Sequence, residues 1–304
     1  MKSNQYTTAV AMILSAMAMF AMMDASIKYL SAVASLVLVL WSRYVIQAAI
    51  MGTWLWRTQG RKGFATALPG YQLLRGFLLM SMGCMAYLSL QHMPLAEFTA
   101  IVMLAPILVT AIASWKLKEP IGALRWMVVC GGFIGTLVVI RPGSGMFGPA
   151  VIFPLLTMLS SAAYSLSTGH LAKRENPWTT QFYTGLTGTL VMLPVMVFEL
   201  MNLPAAMAQF TSMHLLMLVA IGVIATVSHL VMVMAFGRSS AAALMPFTYA
   251  QIGFAAILSW LVFDHAPDAL AMLGMCAIAG CGAATAWLDM VALRRPRFSS
   301  AMPA

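Results

Sequence analysis

The chain consists mainly of long apolar runs separated by short polar segments. Each run reaches or approaches the roughly 20 residues that cross the hydrocarbon core of a bilayer as a helix. The runs do not alternate between apolar and polar residues with a period of two, so the pattern predicts membrane-spanning α-helices. The ten runs lie at 8–30, 33–56, 71–91, 95–115, 122–140, 149–171, 178–200, 214–236, 242–263 and 269–289.

Composition agrees with this pattern. Hydrophobic residues make up 62% of the 304 residues and charged residues only 8%, whereas soluble domains carry roughly a quarter charged residues. We therefore predict an all-α integral membrane protein in contact with the lipid bilayer. The net charge of +9 is not gathered into a basic domain, so we expect no nucleic-acid partner.

The basic residues predict the orientation of the chain. If the N-terminus is cytoplasmic, most Lys and Arg residues, including Arg57, Arg61, Arg75 and Arg174, fall on the cytoplasmic side, and few fall opposite. This bias is the positive-inside rule. It predicts a multi-pass inner (plasma) membrane protein with both termini in the cytoplasm.

The two halves of the chain are related. The motif "SWKLKEP" at 114–120 and the motif "SWLVFDHAP" at 259–267 place Ser, Trp and an acidic residue 145 positions apart, as Ser114 and Ser259 show. Five spans is an odd number, so the second half must enter the membrane upside down. We predict two inverted five-helix repeats, at 1–145 and 146–290, followed by a basic cytoplasmic tail at 291–304.

The paired motifs also carry a family resemblance. The segments "LAPILVTAIASWKLKEP" at 104–120 and "PFTYAQIGFAAILSWLVFDHAP" at 246–267 resemble the signatures of EamA-type members of the drug/metabolite transporter superfamily. The sequence departs from the common pattern at Gln251, opposite Pro106, and at Asp264, where many members have Glu. The resemblance implies a substrate cavity lined by the first four spans of each half, with spans 5 and 10 set aside for packing.

That resemblance also implies a function. Similar proteins export amino acids, including aromatic ones, or carry riboflavin or nucleoside-like metabolites. We therefore expect a transporter that moves small amphipathic metabolites by alternating access, with amino-acid export as the first candidate and riboflavin or nucleoside-like metabolites as the alternative.

Polar and aromatic residues inside the spans are candidates for substrate contact, because an uncompensated polar group costs free energy in a membrane. Hydrogen bonding between helices accounts equally well for each residue taken singly. The candidate substrate-binding residues are Phe20, Tyr87, Gln91, Met103, Tyr164, His229, Thr248, Tyr249 and Gln251.

A buried ion pair is predicted between Asp24 and Arg43. Both lie roughly 9–12 Å below the outer ends of their spans at 1.5 Å per residue, and an unpaired arginine near the bilayer centre is costly. Lys28 competes for Asp24 but can reach the outer surface, and Glu97 is an alternative partner of Arg43. A gating or substrate-carboxylate role for Arg43 stays open.

Enzymatic motifs are absent from the sequence. It contains no HExxH, GxSxG or GxGD motif and no phosphate-binding loop. The four cysteines lack the CxxC spacing of zinc or redox sites. We expect no catalytic residue, metal or cofactor, and an intramembrane enzyme is the non-transport alternative. The small-residue strings at 130–137 and 274–284 fit packing within a monomer, with a homodimer contact as the alternative.

Overall fold

The computed structural model describes residues 2–109, 123–141, 148–171, 174–201, 210–238, 244 and 247–294. The segment 114–120, position 206 and the tail from 295 onward lie outside the described residues. Every regular element within them is helical. The α-helices are α1 Lys2–Leu30, α2 Leu36–Gln59, α3 Pro69–His92, α4 Leu95–Val102, α5 Ala123–Ile140, α6 Ile152–Leu171, α7 Pro177–Leu200, α8 Ser212–Arg238, α9 Ala250–Phe263 and α10 Ala269–Arg294, with 3₁₀ turns at Gly60–Phe64 and Gly148–Val151.

The helices follow the apolar runs. Six of those described, α1, α2, α3, α6, α7 and α8, are long and apolar enough to cross a membrane, and shorter apolar segments occur at Leu95–Val109, Trp126–Ile140, Ala250–Phe263 and Ala269–Ala284. Large apolar side chains such as Leu190 and Phe198 stay exposed on the outside of the bundle, as a lipid-facing surface requires. The chain is a multi-pass, all-helical membrane protein.

The main contacts between helices relate the first five to the last five. α1 packs on α8 and α9, α2 on α7 and α8, α3 on α6 and α7, α4 on α6 and α9, and α5 on α10. The pairs are symmetric between the two halves. If α1 is exchanged with α6, α2 with α7 and so on to α5 with α10, the same set of pairs results. Each half of the chain therefore packs mainly against the other half.

Helices α5 and α10 approach each other through glycines. A Cβ added to Gly135 would lie 3.0 Å from the carbonyl oxygen of Gly274, and one added to Gly131 would lie 2.8 Å from Cys281 Sγ. The small-residue strings thus form a close contact within one chain. Gly280 faces open space, with no heavy atom within 4 Å of an added Cβ.

The fourth span is interrupted directly after α4. Met103 and Leu104 form a turn, and helix resumes at 105–109. Pro106 explains the break, because it has no backbone N–H and its ring collides with the carbonyl four residues earlier. The equivalent position in the second half is also interrupted, since a turn at Tyr249 precedes α9.

One end of the bundle, which we call the basic end, carries Arg57, Arg61, Lys62, Arg174 and Arg238. Here the loop between α2 and α3 is tied to the start of α7. Glu175 Oε1 accepts hydrogen bonds from the Thr66 hydroxyl at 2.9 Å and from the backbone N–H groups of Ala67 and Leu68 at 2.8 and 3.0 Å. Tyr183 and Thr179 hydroxyls donate to the carbonyls of Phe64 and Gly63. Ala67 and Leu68 immediately precede α3, so the carboxylate holds the loop that leads into this helix.

We expect Glu175→Ala to destabilise the basic end. Hydrogen bonds to a charged acceptor contribute about 1.5–3 kcal/mol before screening, and Glu175 is half-buried, so a loss of about 1–2 kcal/mol is expected. The measurement is the melting temperature of the purified protein in detergent. Glu199→Ala is the matched control, because the Glu199 side chain makes no hydrogen bond within the described part of the chain. Equal melting temperatures for the two variants would show that Glu175 does not stabilise this loop.

At the opposite end, Asp268 joins α5 to α10. Its Oδ1 accepts a hydrogen bond from Arg141 Nη2 in an ion pair and another from the backbone N–H of Ala271 at 2.8 Å, which caps α10. The hydrogen bond from Arg141 holds the pKa of the Asp268 carboxyl below its ordinary value. Because the folded pKa is depressed, the pair stabilises the protein above the pKa of about 3.9 of an unfolded Asp, and that contribution is lost as pH falls through the folded pKa.

Asp268→Asn tests this, since Asn retains the cap but not the charge. The melting temperature of the variant should fall below that of the wild type at pH 7 and approach it under acid conditions, below about pH 3.9. A difference that does not change with pH would show that the charge does not act through this pair.

Candidate functional site

Two arginines lie in the interior of the bundle. Arg43 on α2 and Arg75 on α3 are each 2% exposed and are the largest fully buried side chains in the described part of the chain. Neither lies within ion-pair distance of a described carboxylate. A buried positive charge without an acidic partner costs free energy. Other polar groups near each guanidinium must therefore compensate this cost.

Arg75 is surrounded by hydroxyl groups from the second half. Its Nε donates to Thr168 Oγ1 at 2.9 Å, its Nη1 to Thr184 Oγ1 and its Nη2 to the Tyr164 hydroxyl. Its guanidinium carbon also lies 4.6 Å from the centroid of the Tyr164 ring, within range of a cation–π contact. Arg75 therefore connects α3 to α6 and α7. The sequence counted Arg75 among the basic residues of the cytoplasmic side, and the structure buries its side chain among these hydroxyls.

Arg43 has unused hydrogen-bond donors. Its Nε and Nη2 are buried and have no partner among the described residues. The other nitrogen, Nη1, lies near Gly83, where an added Cβ would be 3.7 Å away and also 3.3 Å from the Tyr44 hydroxyl. The absence of a side chain at Gly83 leaves space for both groups.

The predicted direct ion pair between Asp24 and Arg43 does not form, and this prediction is corrected. Asp24 Oδ2 instead accepts a long hydrogen bond of 3.4 Å from Gln251 Nε2 on α9. α1 and α2 each pack on α8, so equal depth along the two helices did not bring the two side chains into contact.

The alternative partner, Glu97, is also engaged elsewhere. Its Oε1 lies 3.2 Å from His265 Nε2 in the connection between α9 and α10. Lys28 does not pair with Asp24 either, because its Nζ donates to the carbonyl oxygens of Leu90 and Met93, both at 2.8 Å. Those carbonyls end α3 and have no helical partner, so they attract a cation.

Each arginine lies next to an aromatic ring, since the guanidinium carbon of Arg43 is 5.4 Å from the Tyr44 ring centroid and that of Arg75 is 4.6 Å from the Tyr164 centroid. Further rings follow from Tyr164. Phe20 and His229 meet edge to face with centroids 4.7 Å apart, and Tyr164 approaches His229 at 6.5 Å. The Nδ1–H of His229 donates to the carbonyl of Ala225 at 2.8 Å, which fixes its ring orientation. Phe20 and Asp24 are four residues apart on α1, so they share one face of that helix. We call Phe20, Asp24, Arg43, Tyr164, His229 and Gln251 the central cluster.

The remaining candidate residues lie outside this cluster. The Tyr87 hydroxyl donates to the Ala34 carbonyl and Gln91 Nε2 to the Ser31 carbonyl at 3.2 Å, so both tie α3 to the connection between α1 and α2. Tyr249 packs against Gly282 on α10. Met103 and the buried Thr248 lie at the interruptions of the fourth and ninth spans.

Sequence reasoning missed Arg75, Thr168, Thr184 and Tyr44 as part of the interior. A signal was present, because Arg75 lies inside the apolar run at 71–91 rather than before its start. In the described residues there is no group of three or more His, Cys, Asp or Glu side chains placed to hold a metal ion.

A bundle of apolar helices with charged and aromatic groups enclosed between them defines a membrane protein with a polar interior, as carriers have. The chain belongs to the EamA-like transporter family, which it matches twice, at residues 7–141 and 148–284.

Three named relatives illustrate the range of this similarity. A riboflavin transporter of Vibrio cholerae is 26% identical over 234 residues, 76% of each chain. An S-adenosylmethionine uptake transporter of Rickettsia prowazekii is 26% identical over 210 residues, 69% of each chain. A pseudopaline exporter of Pseudomonas aeruginosa is 25% identical over 259 residues, 84% of this chain and 87% of the relative.

A crystal structure of another protein has a similar fold. The TM-score is 0.63 over 96% of this chain and 99% of that chain, at 18% identity. At that identity the likeness concerns the fold alone.

Proposed function

We propose that the protein is an inner-membrane carrier that exports amino acids, including aromatic and apolar ones, by alternating access. It consists of ten spans in two inverted repeats of five, with both termini in the cytoplasm at the basic end. No bond is made or broken during transport.

The symmetric helix pairing supports the inverted repeat. Each half packs mainly against the other, and exchanging the halves leaves the pairs unchanged. The family matches each half separately. The fourth and ninth spans are interrupted at equivalent positions, Met103–Leu104 and Tyr249, and interrupted helices in inverted-repeat carriers typically line the substrate site.

The observation that carries the choice of substrate is the central cluster. It combines rings at Phe20, Tyr164 and His229 with a buried cation at Arg43 and a buried acid at Asp24. Aromatic surface together with a few placed polar groups suits a molecule that is flat and apolar at one end and charged at the other. An aromatic amino acid has this form.

A riboflavin or nucleoside-like metabolite is the second candidate. Two of the relatives described above are named as carriers of riboflavin and of S-adenosylmethionine. Both molecules contain a flat ring system that the aromatic part of the cluster would accept.

Counterflow in vesicles containing the purified protein tests the proposal. Vesicles preloaded with an unlabelled amino acid should transiently accumulate the same labelled amino acid, and a panel of amino acids, riboflavin and nucleosides should rank the substrates. Counterflow of riboflavin without counterflow of any amino acid would select the second candidate. Flux that continues down a gradient without counterflow would indicate a channel and contradict the carrier.

A further inference from the structure

We propose that Asp24 and Arg43 form the two poles of a subsite for a zwitterionic amino acid, with Arg43 binding the carboxylate and Asp24 the ammonium group. This inference rests on the proposed function and specifies which part of the substrate each residue recognises.

The free nitrogens of Arg43 match a carboxylate. Nε and Nη2 lie on the same edge of the guanidinium plane, and they are the two that have no partner among the described residues. That edge presents two parallel N–H groups, the geometry in which arginine binds both oxygens of a carboxylate. Nη1, outside that edge, lies near Gly83.

No acid in the described part of the protein occupies that edge. Asp24 is directed to Gln251 and Glu97 to His265. The buried guanidinium of Arg75, by contrast, has hydrogen-bond partners, because three hydroxyl groups from α6 and α7 accept its hydrogen bonds. A buried guanidinium that keeps two N–H groups unpaired loses stability, and an anion arriving from solution would recover it.

Asp24 supplies the opposite charge. It is buried on α1, and the hydrogen bond from Gln251 is long enough, at 3.4 Å, to be exchanged for a shorter one. Asp24 and Arg43 are not in contact, but packed rings link their surroundings. Tyr44, next to Arg43, shares a buried cluster with Tyr164, and the Tyr164 ring lies 6.5 Å from that of His229. A molecule that carries an ammonium and a carboxylate group on one carbon has one charged group for each of the two residues.

The aromatic rings lie beside these poles. Phe20 is one turn from Asp24 on α1, and His229 on α8 contacts Phe20 and lies 6.5 Å from the Tyr164 ring, centroid to centroid. Since α8 packs against both α1 and α2, the side chain of a bound amino acid would meet the Phe20 and His229 rings while its charged groups reach the two poles.

Equilibrium binding to the purified full-length protein tests the subsite with three probes: L-phenylalanine, 2-phenylethylamine, which lacks the carboxylate, and 3-phenylpropionate, which lacks the ammonium group. For the wild type we expect each truncated probe to bind about 10- to 100-fold more weakly than phenylalanine, the loss of one charge-assisted contact. Equal affinity for all three probes would overturn the proposal.

Two variants test which residue binds which charged group of the amino acid. Arg43→Gln should lower phenylalanine affinity about 10- to 100-fold and leave phenylethylamine binding unchanged. Asp24→Asn should lower phenylalanine affinity equally and leave phenylpropionate binding unchanged. Arg238→Gln, an exposed arginine on α8, is the control and should bind all three probes as the wild type does. A uniform loss for all probes would overturn the assignment.

The counterflow and binding results together distinguish a failure of the subsite from a failure of the proposed export function. If phenylalanine shows counterflow but the truncated probes bind as well as it does, export stands and the subsite is wrong. If no amino acid binds and riboflavin does, both fail. If Arg43→Gln does not yield folded protein, the three probes on the wild type still decide the question.

Discussion

Replacing Arg75 with glutamine is expected to lower the melting temperature of the purified protein by several degrees and to reduce transport at least tenfold. The reason is the balance of two contributions. Burying an arginine inside a membrane span costs up to about 3 kcal/mol, the value for the centre of the bilayer. Each hydrogen bond from a charged donor contributes about 1.5–3 kcal/mol, and Arg75 makes three to Tyr164, Thr168 and Thr184.

The hydrogen bonds therefore exceed the burial cost, and we expect a net loss of about 1.5–6 kcal/mol in the glutamine variant. Transport should also fall, because α3 would no longer be held to α6 and α7 at this level. Arg57→Gln, at an exposed position near the end of α2, is the matched control. Wild-type stability and transport in the Arg75→Gln variant would show that the hydroxyl groups do not compensate the buried charge.

The course of the helices could be predicted because burial in lipid is a property of single segments. A run of apolar residues satisfies its own backbone as a helix whatever its neighbours are, so α3 and α7 begin and end within two residues of the runs that predicted them. Helix ends also follow local rules, as the break before Pro106 shows.

Contacts between helices were harder to predict. The sequence indicates how deep a residue lies in the membrane, but not which neighbouring helix its side chain faces. Asp24 and Arg43 were expected to meet because their depths agree, but α8 lies against both of their helices. Tyr87 and Gln91 were expected to face substrate because they are polar, but backbone carbonyls at Ala34 and Ser31 accept their hydrogen bonds. Whether a polar side chain bonds a backbone carbonyl or faces a substrate depends on the rotation of its helix and on the neighbouring helices. A single sequence does not contain that information.

The interior arginine at position 75 shows a further limit. A positive charge near the end of an apolar run fits both a surface residue and an interior one, and the positive-inside rule counts charges without distinguishing them. The partners that decide the matter, Thr168 and Thr184, are about a hundred positions away and have no charge to signal their role. The buried environment becomes apparent only when α3, α6 and α7 are packed together.

Gly185→Ala is expected to separate α2 from α7 and lower the free energy of unfolding by about 1–3 kcal/mol, the usual effect of overpacking. A Cβ at this position would lie 2.8 Å from the backbone N of Ala48 and 3.1 Å from the backbone O of Tyr44. Backbone atoms cannot rotate away as a side chain can, so the two helices must move apart. Because α2 carries Arg43, the same displacement should weaken phenylalanine binding.

Gly253→Ala is the matched control for this change. Gly253 is also inside a helix, α9, but it is exposed, and an added Cβ meets no heavy atom within 4 Å. Alanine favours a helix over glycine by roughly 0.5–1 kcal/mol, so this variant should be as stable as the wild type or slightly more so. Melting temperatures of the two variants in one detergent make the comparison. If Gly185→Ala is as stable as Gly253→Ala, α2 and α7 do not depend on close backbone approach, and the position of Arg43 is set by its other neighbours.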